Sequence, residues 1–403
     1  MALSRNLLAQ LGWATLRPGE LASVLLDEFS YVEEDGQQQL YFSDGREPAL
    51  RLNYNRKGSL YDVRAGPQLE EMDVARLSAR VEEELVSSSG LAVGTRKLFS
   101  DSRRLNGYWR YRDRFQVLPA PENAPDTGQA IGPHPFLLQF TFSGSSNQPI
   151  NSARQWRESR RLELLLCALI NHPITSISPI YAAHWVYSPD FTETVYAQEG
   201  YSIPNFVPPT GFLAVEGMDP APEQPEATYY AFGPLDFGPP LAVPTTLATL
   251  LDIFFNLSPF VQDQFLRAAY WLQHSHRVSS ISHSASYMAL IGAIEVLTEK
   301  AGEACPTCRQ PVFSVGQRFR EFLDEYAPLA SGIDPDVAKA RTRLYGTRSK
   351  ITHGERLLLI DDDPVTFTLG PNAILERETF RHAWESARVG LVNWLRRQAE
   401  PAG

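Results

Sequence analysis

Two residues toward the end of this chain have the chemistry needed to cut a phosphodiester without a metal. Arg348 carries a permanent cation, and its planar guanidinium donates paired hydrogen bonds to phosphate oxygens. His353 follows five residues later, and histidine side chains ordinarily titrate at about pH 6.5, which suits proton transfer near neutrality. Together they could take the proton of a ribose 2′-hydroxyl, protonate the leaving 5′-oxygen and offset charge on the phosphate.

The spacing of the two residues leaves a structural alternative open. Five residues along an ideal helix rotate the chain by about 140°, so the two side chains do not share one face. Gly354 predicts that the helix ends beside His353, which would let the imidazole turn. In the alternative, Arg348 pairs with a carboxylate, and His353 sits at a helix C-terminus, where a cation is favoured.

A local excess of basic residues surrounds this pair. The segment contains Lys339, Arg341, Arg343, Arg348, Lys350 and Arg356. The formal net charge of the chain is −10, but residues 240–403 are nearly balanced, so the acidic excess lies in residues 1–239. We interpret the five basic residues other than Arg348 as candidate contacts to an RNA backbone. The alternative is a solvated helix face.

Helices are predicted to position these residues. Apolar spacing and capping residues indicate helices at 246–256, 259–274, 284–300, 314–326, 335–351 and 376–397. The helix at 335–351 is capped by Asp334. The helix at 259–274 carries side chains at helical spacing, namely Phe260, Phe265, Leu266, Tyr270 and Trp271. The helix at 284–300 carries a stripe predicted to be buried, namely Tyr287, Leu290, Ile291, Ile294 and Leu297.

The rest of the chain is predicted to form two further parts. Residues 1–203 mix strand signals at 38–42, 50–54, 108–111 and 136–142 with helix signals at 69–86 and 154–170. This mixture indicates an α+β domain. Ten of the thirty prolines fall within 204–244, which predicts a linker or an extended surface arm, since proline fixes φ and lacks an amide donor. Residues 245–403 form the helical bundle.

The stretch from Leu344 to Glu355 resembles the R-x4–6-H signature of HEPN domains, in particular the Apea-like HEPN branch. The order of the helices predicted after residue 245 also resembles that of the Apea-like HEPN domains. Three further strings share the resemblance: Ala268–Leu272, Ala289–Glu295 and Phe319–Leu323. The resemblance covers about residues 245–400 and implies an all-α HEPN-like bundle with Arg348, Ser349 and His353 at its catalytic site. Ser349 stands where the family favours a polar residue, often asparagine.

The resemblance implies a metal-independent endoribonuclease of a toxin or anti-phage (abortive infection) system, cleaving RNA through 2′-hydroxyl attack. Family members pair by a two-fold axis, so a homodimer or higher homo-oligomer is expected, and catalysis needs no cofactor. The N-terminal domain would regulate the enzyme or recognise a phage or host trigger protein. Two rival functions stay open: a non-catalytic HEPN dimerisation or RNA-binding module, and a zinc-dependent nucleic-acid-binding scaffold.

Cys305 and Cys308 form a C-x2-C pattern that could supply half of a structural zinc site. Such a site needs four ligands, and the others would be histidines such as His274, His276 or His283, or cysteines of a second copy. A turn that binds nothing is the alternative.

Three cysteines, an odd number, argue against a disulfide framework and for a reducing compartment. No apolar run is long enough to span a bilayer, and no signal peptide is evident. We therefore expect a cytoplasmic protein with no membrane partner.

Overall fold

A computed structural model gives the architecture of the chain. It describes residues 7, 13, 16–43, 47–66, 69, 71–87, 90–101, 103–122, 133–170, 172–176, 183–187, 192–198, 205–230, 240–298, 315–329, 335–363 and 371–399. The N-terminal region is rich in strands and the C-terminal half is mostly helical. The predicted change from an α+β region to a helical one is confirmed at this level.

The strands form two main sheets and two short pairs. They are β1 (Tyr31–Asp35), β2 (Gln38–Phe42), β3 (Leu50–Tyr54), β4 (Leu60–Ala65), β5 (Leu91–Asp101), β6 (Trp109–Tyr111), β7 (Phe115–Pro119), β8 (Pro133–Ser143), β9 (Ile174–Thr175), β10 (Ala183–Tyr187), β11 (Thr194–Gln198), β12 (Glu223–Gln224) and β13 (Val243–Pro244). Strands β1 to β4 form an antiparallel meander in chain order. The second sheet has the order β6-β7-β8-β5-β9. The short pairs are the antiparallel hairpin β10–β11 and the parallel pair β12–β13.

The helices match the predicted order closely. They are α1 (Pro18–Leu26), α2 (Glu71–Ser87), α3 (Gln148–Leu169), α4 (Glu226–Tyr229), α5 (Leu247–Asn256), α6 (Pro259–Val278), α7 (His283–Leu297), α8 (Val315–Tyr326), α9 (Pro335–Thr352), α10 (Leu359–Asp362) and α11 (Pro371–Arg397). Each helix predicted after residue 245 has an observed counterpart, with ends that differ by at most a few residues. Helices α1, α4 and α10 were not predicted. Among the described residues, no helix combines the length and apolar character that crossing a bilayer requires.

Contacts between residues divide the chain into two compact units. Unit 1 comprises 1–94, 140–159 and 208–213, and unit 2 comprises 95–139, 160–207 and 214–403. The parts predicted from the sequence, 1–203, 204–244 and 245–403, remain a prediction, because grouping by contacts does not test which segment folds alone.

Unit 1 combines one apolar core with a buried ion cluster. Core side chains come from α1, α2 and the β1–β4 sheet, and Trp13, Leu25 and Leu50 are fully buried among them. Glu20 on α1 accepts hydrogen bonds from Arg154, at 3.2 Å to Nε, and from Arg157. Burial alone would raise the pKa of Glu20, but the two guanidiniums hold it below its ordinary value. Replacing Glu20 or its arginine partners with a neutral residue would lower the free energy of unfolding, because an uncompensated charge would stay buried.

Unit 2 contains a buried carboxylate that joins α3 to α6. The side chain of Glu163, on α3, is fully buried. Its Oε1 accepts hydrogen bonds from Arg160 Nη1 at 2.8 Å, from Gln273 Nε2 on α6 at 2.9 Å and from the Ser176 backbone N–H at 3.1 Å. These bonds offset the cost of burying the charge, and the Gln273 bond joins the C-terminal part of α6 to α3.

Helix α7 lies at the centre of the helical bundle in unit 2. It packs against α6, α8, α9 and α11. The stripe predicted from the sequence is buried as expected, with each member at most 3% exposed: Tyr287, Leu290, Ile291, Ile294 and Leu297. A helix that is apolar on most of its circumference is predicted to be central in this way.

The later part of the proline-rich segment contacts helices of unit 2. Within unit 2, Tyr229 donates a hydrogen bond to the Ala242 carbonyl at 3.0 Å, and Tyr230 donates one to the Leu169 carbonyl at 2.6 Å. Glu226, at the start of α4, contacts Arg396 of α11. Few residues of 205–230 are buried, yet these contacts tie the segment to the helices.

The C-terminus of α9 has the backbone geometry of a Schellman motif. The Glu355 N–H donates to the Lys350 carbonyl at 2.9 Å, and the Gly354 N–H donates to the Ile351 carbonyl at 3.1 Å. Gly354 has φ +71°, a left-handed conformation that glycine adopts without strain. The prediction that Gly354 ends this helix is confirmed, and His353 is its C-terminal capping residue.

Two glycines on and beside α9 offer a matched test of this backbone geometry. Gly346 and Gly354 are both exposed, and a Cβ added at either meets no atom within 4 Å. Gly346→Ala should raise the free energy of unfolding by about 0.5–1 kcal/mol, because alanine loses less entropy in a helix. Gly354→Ala should lower it by about 1–2 kcal/mol, because a Cβ strains the left-handed conformation. Urea denaturation measures both changes, and equal shifts in one direction would contradict the assigned helix end.

Candidate active site

Helix α9 is held along α7 by three side-chain contacts. The Tyr287 hydroxyl, on α7, donates to the Leu344 carbonyl of α9 at 2.7 Å. Glu295 Oε2 lies 3.3 Å from Arg348 Nη2, and Met288 Sδ lies 3.6 Å from Thr352 Oγ1. Burial raises the pKa of Tyr287 well above its ordinary value, so the hydroxyl keeps its proton at physiological pH. The position of the segment from Arg348 to His353 is therefore set by α7.

Arg348 lies in a half-buried setting with one spare donor. Its side chain is 26% exposed and that of Glu295 is 23% exposed. The guanidinium carbon lies 5.7 Å from the centre of the Tyr345 ring. Within the described residues, the buried Nε of Arg348 and Oε1 of Glu295 have no hydrogen-bond partner. Because this Nε is buried, its N–H can donate to a ligand oxygen only if the side chain moves, whereas the Nη2 that faces Glu295 is already paired.

His353 stands exposed at the end of α9. Its backbone N–H donates to the Ser349 carbonyl at 3.0 Å, which completes the last turn. Its side chain is exposed, and no hydrogen bond or ion pair holds the imidazole within the described part of the chain. The imidazole can therefore reach a substrate or a second copy of the chain.

One copy of the chain does not bring Arg348 and His353 onto one face. Arg348 turns toward α7 and pairs with Glu295, whereas His353 occupies the C-terminal cap and faces solvent. This is the geometry of the structural alternative weighed from the sequence. Ser349 lies half-buried between them, and its carbonyl accepts the hydrogen bond from the His353 N–H in the last turn of α9.

The other predicted RNA contacts occupy different settings. Arg343 and Lys350 are exposed on α9. Arg356 is exposed and lies 3.5 Å from Glu376. Arg341 instead donates to the Ala327 carbonyl at 2.8 Å and pairs with Asp324 at 3.4 Å, so its guanidinium holds α9 against the end of α8. We leave Arg341 out of the proposed RNA contacts for this reason. Lys339 lies on α9, and its side chain is outside the described residues.

The predicted metal ligands are not brought together where they are described. His274 stacks on Tyr270, with ring centres 5.8 Å apart, whereas His276 Nε2 accepts a hydrogen bond from Trp384 Nε1 at 3.3 Å. His283 packs against Phe380. Burial lowers the pKa of His276 to about 3, so it stays neutral. Cys305 and Cys308 lie outside the described residues, and a structural zinc there stays a prediction.

The structure identifies further residues that the sequence patterns did not single out. Glu295 holds Arg348 and also lines a cavity of about 1050 Å³ between α6, α7, α8 and α11. Asp361 accepts hydrogen bonds from the N–H groups of His283 and Ser284 at 2.9 and 2.6 Å, and so caps the start of α7. An isolated glutamate on a buried helix and a run of aspartates in a loop carry no signal that would reveal either role.

Comparisons of the chain with models of protein families, with curated proteins and with solved structures found no match. Function is therefore inferred from the chemistry of Arg348, His353 and their surroundings.

A pair of tyrosines tests how α9 is fixed. Tyr287→Phe removes the donor to Leu344 and should lower the free energy of unfolding by about 0.5–1.5 kcal/mol, the net value of one hydrogen bond. Tyr345→Phe is the control, because the Tyr345 hydroxyl makes no hydrogen bond within the described residues, so the change should stay within about 0.5 kcal/mol. Equal losses in both variants would show that the Tyr287 hydroxyl does not fix α9.

Proposed function

We propose that this chain is a metal-independent endoribonuclease of the HEPN type, acting as a toxin or anti-phage (abortive infection) effector. One observation carries the proposal: Arg348, whose side chain is 26% exposed, and an exposed His353 lie within six residues at the C-terminal end of α9. The order of helices α5 to α11 and the strings that resemble HEPN sequences support the same assignment.

Each residue has a defined part in the proposed reaction. His353 would act as the base that takes the 2′-hydroxyl proton, or as the acid that protonates the 5′-oxygen. Arg348 would bind the non-bridging oxygens of the phosphate and offset the charge that builds there. The 2′-oxygen attacks the phosphorus and forms a 2′,3′-cyclic phosphate, while the bond to the 5′-oxygen breaks and leaves a 5′-hydroxyl. Neither the attack nor the departure of the 5′-oxygen needs a metal.

A second copy of the chain is needed to complete this site. In one copy, His353 faces solvent while Arg348 faces α7, so a phosphate bound to one is not placed against the other. A two-fold axis near the end of α9 would bring two His353 and two Arg348 into one cleft, because an isologous contact pairs each surface with its own copy. Two histidines would then divide the base and acid roles.

Glu295 forms an ion pair with Arg348 when no substrate is bound. In the absence of a phosphate, the carboxylate holds the guanidinium, and substrate phosphate would compete for the same N–H groups. Partly exposed ion pairs contribute only about 0–1 kcal/mol, so this exchange has a small cost. Glu295 then acts as a positioning residue, since it touches Arg348 and not the reacting atoms.

The N-terminal region would control when the nuclease acts. An unregulated ribonuclease would damage its own cell, so an effector of this kind requires a trigger. We propose that residues 1–203 keep the enzyme inactive or recognise a phage or host protein, as the resemblance implies.

A non-catalytic HEPN module is the second candidate, and the Arg348–Glu295 ion pair favours it. In that function the guanidinium has a structural role, and the bundle serves to dimerise or to bind RNA. Enzymatic assay of purified protein on RNA in the presence of a chelator separates the two candidates.

Substitution of the two proposed catalytic residues tests the chemistry. His353→Ala should lower the cleavage rate by about 10²–10⁴-fold, the usual contribution of general acid–base catalysis. Arg348→Ala should have a comparable effect, and Arg348→Lys should not restore the rate, since an ammonium lacks the planar pair of donors. Arg51→Ala, at an exposed arginine on β3, is the control for loss of charge. Full activity of folded His353→Ala protein would refute the assigned chemistry.

Mixed dimers test the shared cleft. Inactive His353→Ala protein, added in rising excess to a fixed amount of wild-type protein, should lower the activity of each wild-type chain toward zero after subunits exchange. Mixed dimers would contain one histidine where two are needed. Sedimentation of the same samples reports the oligomeric state. Activity that stays constant across the titration would mean that a single chain acts alone.

A further inference from the structure

Helix α6 exposes aromatic and basic side chains along one face. Apart from the neighbours Tyr270 and Trp271, successive members are separated by three or seven residues, which places them on a single stripe. Its members are Phe260, Arg267, Tyr270, Trp271, His274 and Arg277. Aromatic side chains on a bundle helix are ordinarily buried, yet Phe260, Tyr270 and Trp271 are 66%, 42% and 39% exposed.

The rings on this stripe are arranged as a platform. Tyr270 and His274 lie nearly parallel, with ring centres 5.8 Å apart and an angle of 7° between the planes. Trp271 meets His274 edge-on at 5.8 Å. The Arg160 guanidinium lies 5.8 Å from the centre of the Tyr270 ring. These contacts hold the rings in place, and the Tyr270 and Trp271 side chains remain 42% and 39% exposed.

The stripe opens onto the same face of α7 as Arg348. Met288, Gly292 and Glu295 are spaced by four and three residues, so they share one face of α7. Met288 contacts Thr352, and Glu295 pairs with Arg348, both on α9. At Gly292 an added Cβ would lie 3.7 Å from the Trp271 ring. Trp271 therefore stands on one side of this face and Arg348 on the other.

The cavity beside Glu295 gives independent support for a shared groove. Phe260 and Arg267 of the stripe line it together with Glu295, the partner of Arg348. Side chains of α6 and the carboxylate that holds Arg348 thus face one common space. We call the surface formed by Arg267, Tyr270, Trp271 and Arg277 over α7 the α6 platform.

Charge and ring chemistry indicate what the platform binds. Arg267 and Arg277 are exposed, and neither has an acidic partner within the described residues. Partly exposed aromatic side chains between these guanidiniums suit unstacked bases joined by phosphates, because bases stack on rings while arginines bind the backbone. A duplex hides its bases, so a single strand fits better.

We propose that the α6 platform binds single-stranded RNA, with a base stacked on Trp271 and backbone phosphates on Arg267 and Arg277. The proposal rests on the proposed ribonuclease function, because the platform would deliver the strand to Arg348 across the face of α7. A base stacked on Trp271 would then hold an unpaired segment of RNA beside the cleft whatever its sequence.

Binding of a fluorescein-labelled, single-stranded 2′-O-methyl RNA, measured by anisotropy, tests the platform without cleavage. Trp271→Ala should weaken binding by about 5- to 150-fold, the range for loss of one stacked base. Trp271→Phe keeps a ring and should retain most of the affinity. Trp156→Ala removes an exposed tryptophan of unit 1 and is the matched control, with no change expected. Arg267→Gln and Arg277→Gln should each reduce the salt dependence of binding by about 0.7 in log–log slope.

The outcomes separate this proposal from the ribonuclease assignment. If wild-type protein binds RNA through Trp271 but never cleaves it, the proposal of an RNA-binding α6 platform stands and the ribonuclease proposal is refuted. Wild-type protein that cleaves RNA while Trp271→Ala binds normally would keep the nuclease and refute the platform. The platform is also refuted if wild-type protein binds no RNA. If Trp271→Ala dissociates a dimer without weakening RNA binding, the stripe is an interface between copies.

Discussion

The hydrogen bond from the Tyr287 hydroxyl to the Leu344 carbonyl fixes the register of α9 on α7. Both partners are fully buried, so the bond is shielded from water and has few geometric alternatives. Arg348 lies one turn beyond Leu344, and His353 lies at the end of the same helix. Every proposed chemical step depends on where this helix places them. The Schellman turn at Gly354 then sets the point at which His353 leaves the helix.

The same helix, α7, contacts both the arginine proposed to bind phosphate and the tryptophan proposed to bind RNA. One of its faces carries Glu295 against Arg348 and Gly292 beneath Trp271. A Cβ added at 292 would lie in ordinary contact with the indole, at 3.7 Å. A residue without a carboxylate at 295 would leave the Arg348 guanidinium without this ion-pair partner. One half-buried strip of α7 therefore contacts both the proposed phosphate-binding arginine and the tryptophan of the α6 platform.

Much of the bundle could be predicted from the sequence, because helical periodicity reports a buried face directly. The stripe from Tyr287 to Leu297 and the helix end at Gly354 are examples. Helix α1 was missed because it is short and its register is set by the core and by the ions around Glu20. The exposure of Trp271 could not be predicted, since spacing alone does not distinguish a buried ring from an open one. The Arg348–Glu295 contact joins residues far apart in sequence and leaves no local signal.

The chemistry of the RNA ends formed by the purified protein tests the central claim most directly. A defined single-stranded RNA would be incubated with wild-type protein in excess chelator, and the product termini identified by mass spectrometry. We expect a 2′,3′-cyclic phosphate on one fragment and a 5′-hydroxyl on the other, with no cut where the 2′-hydroxyl is replaced by hydrogen. Cleavage that requires magnesium, or products with a 5′-phosphate and a 3′-hydroxyl, would contradict the assignment of Arg348 and His353 to this reaction.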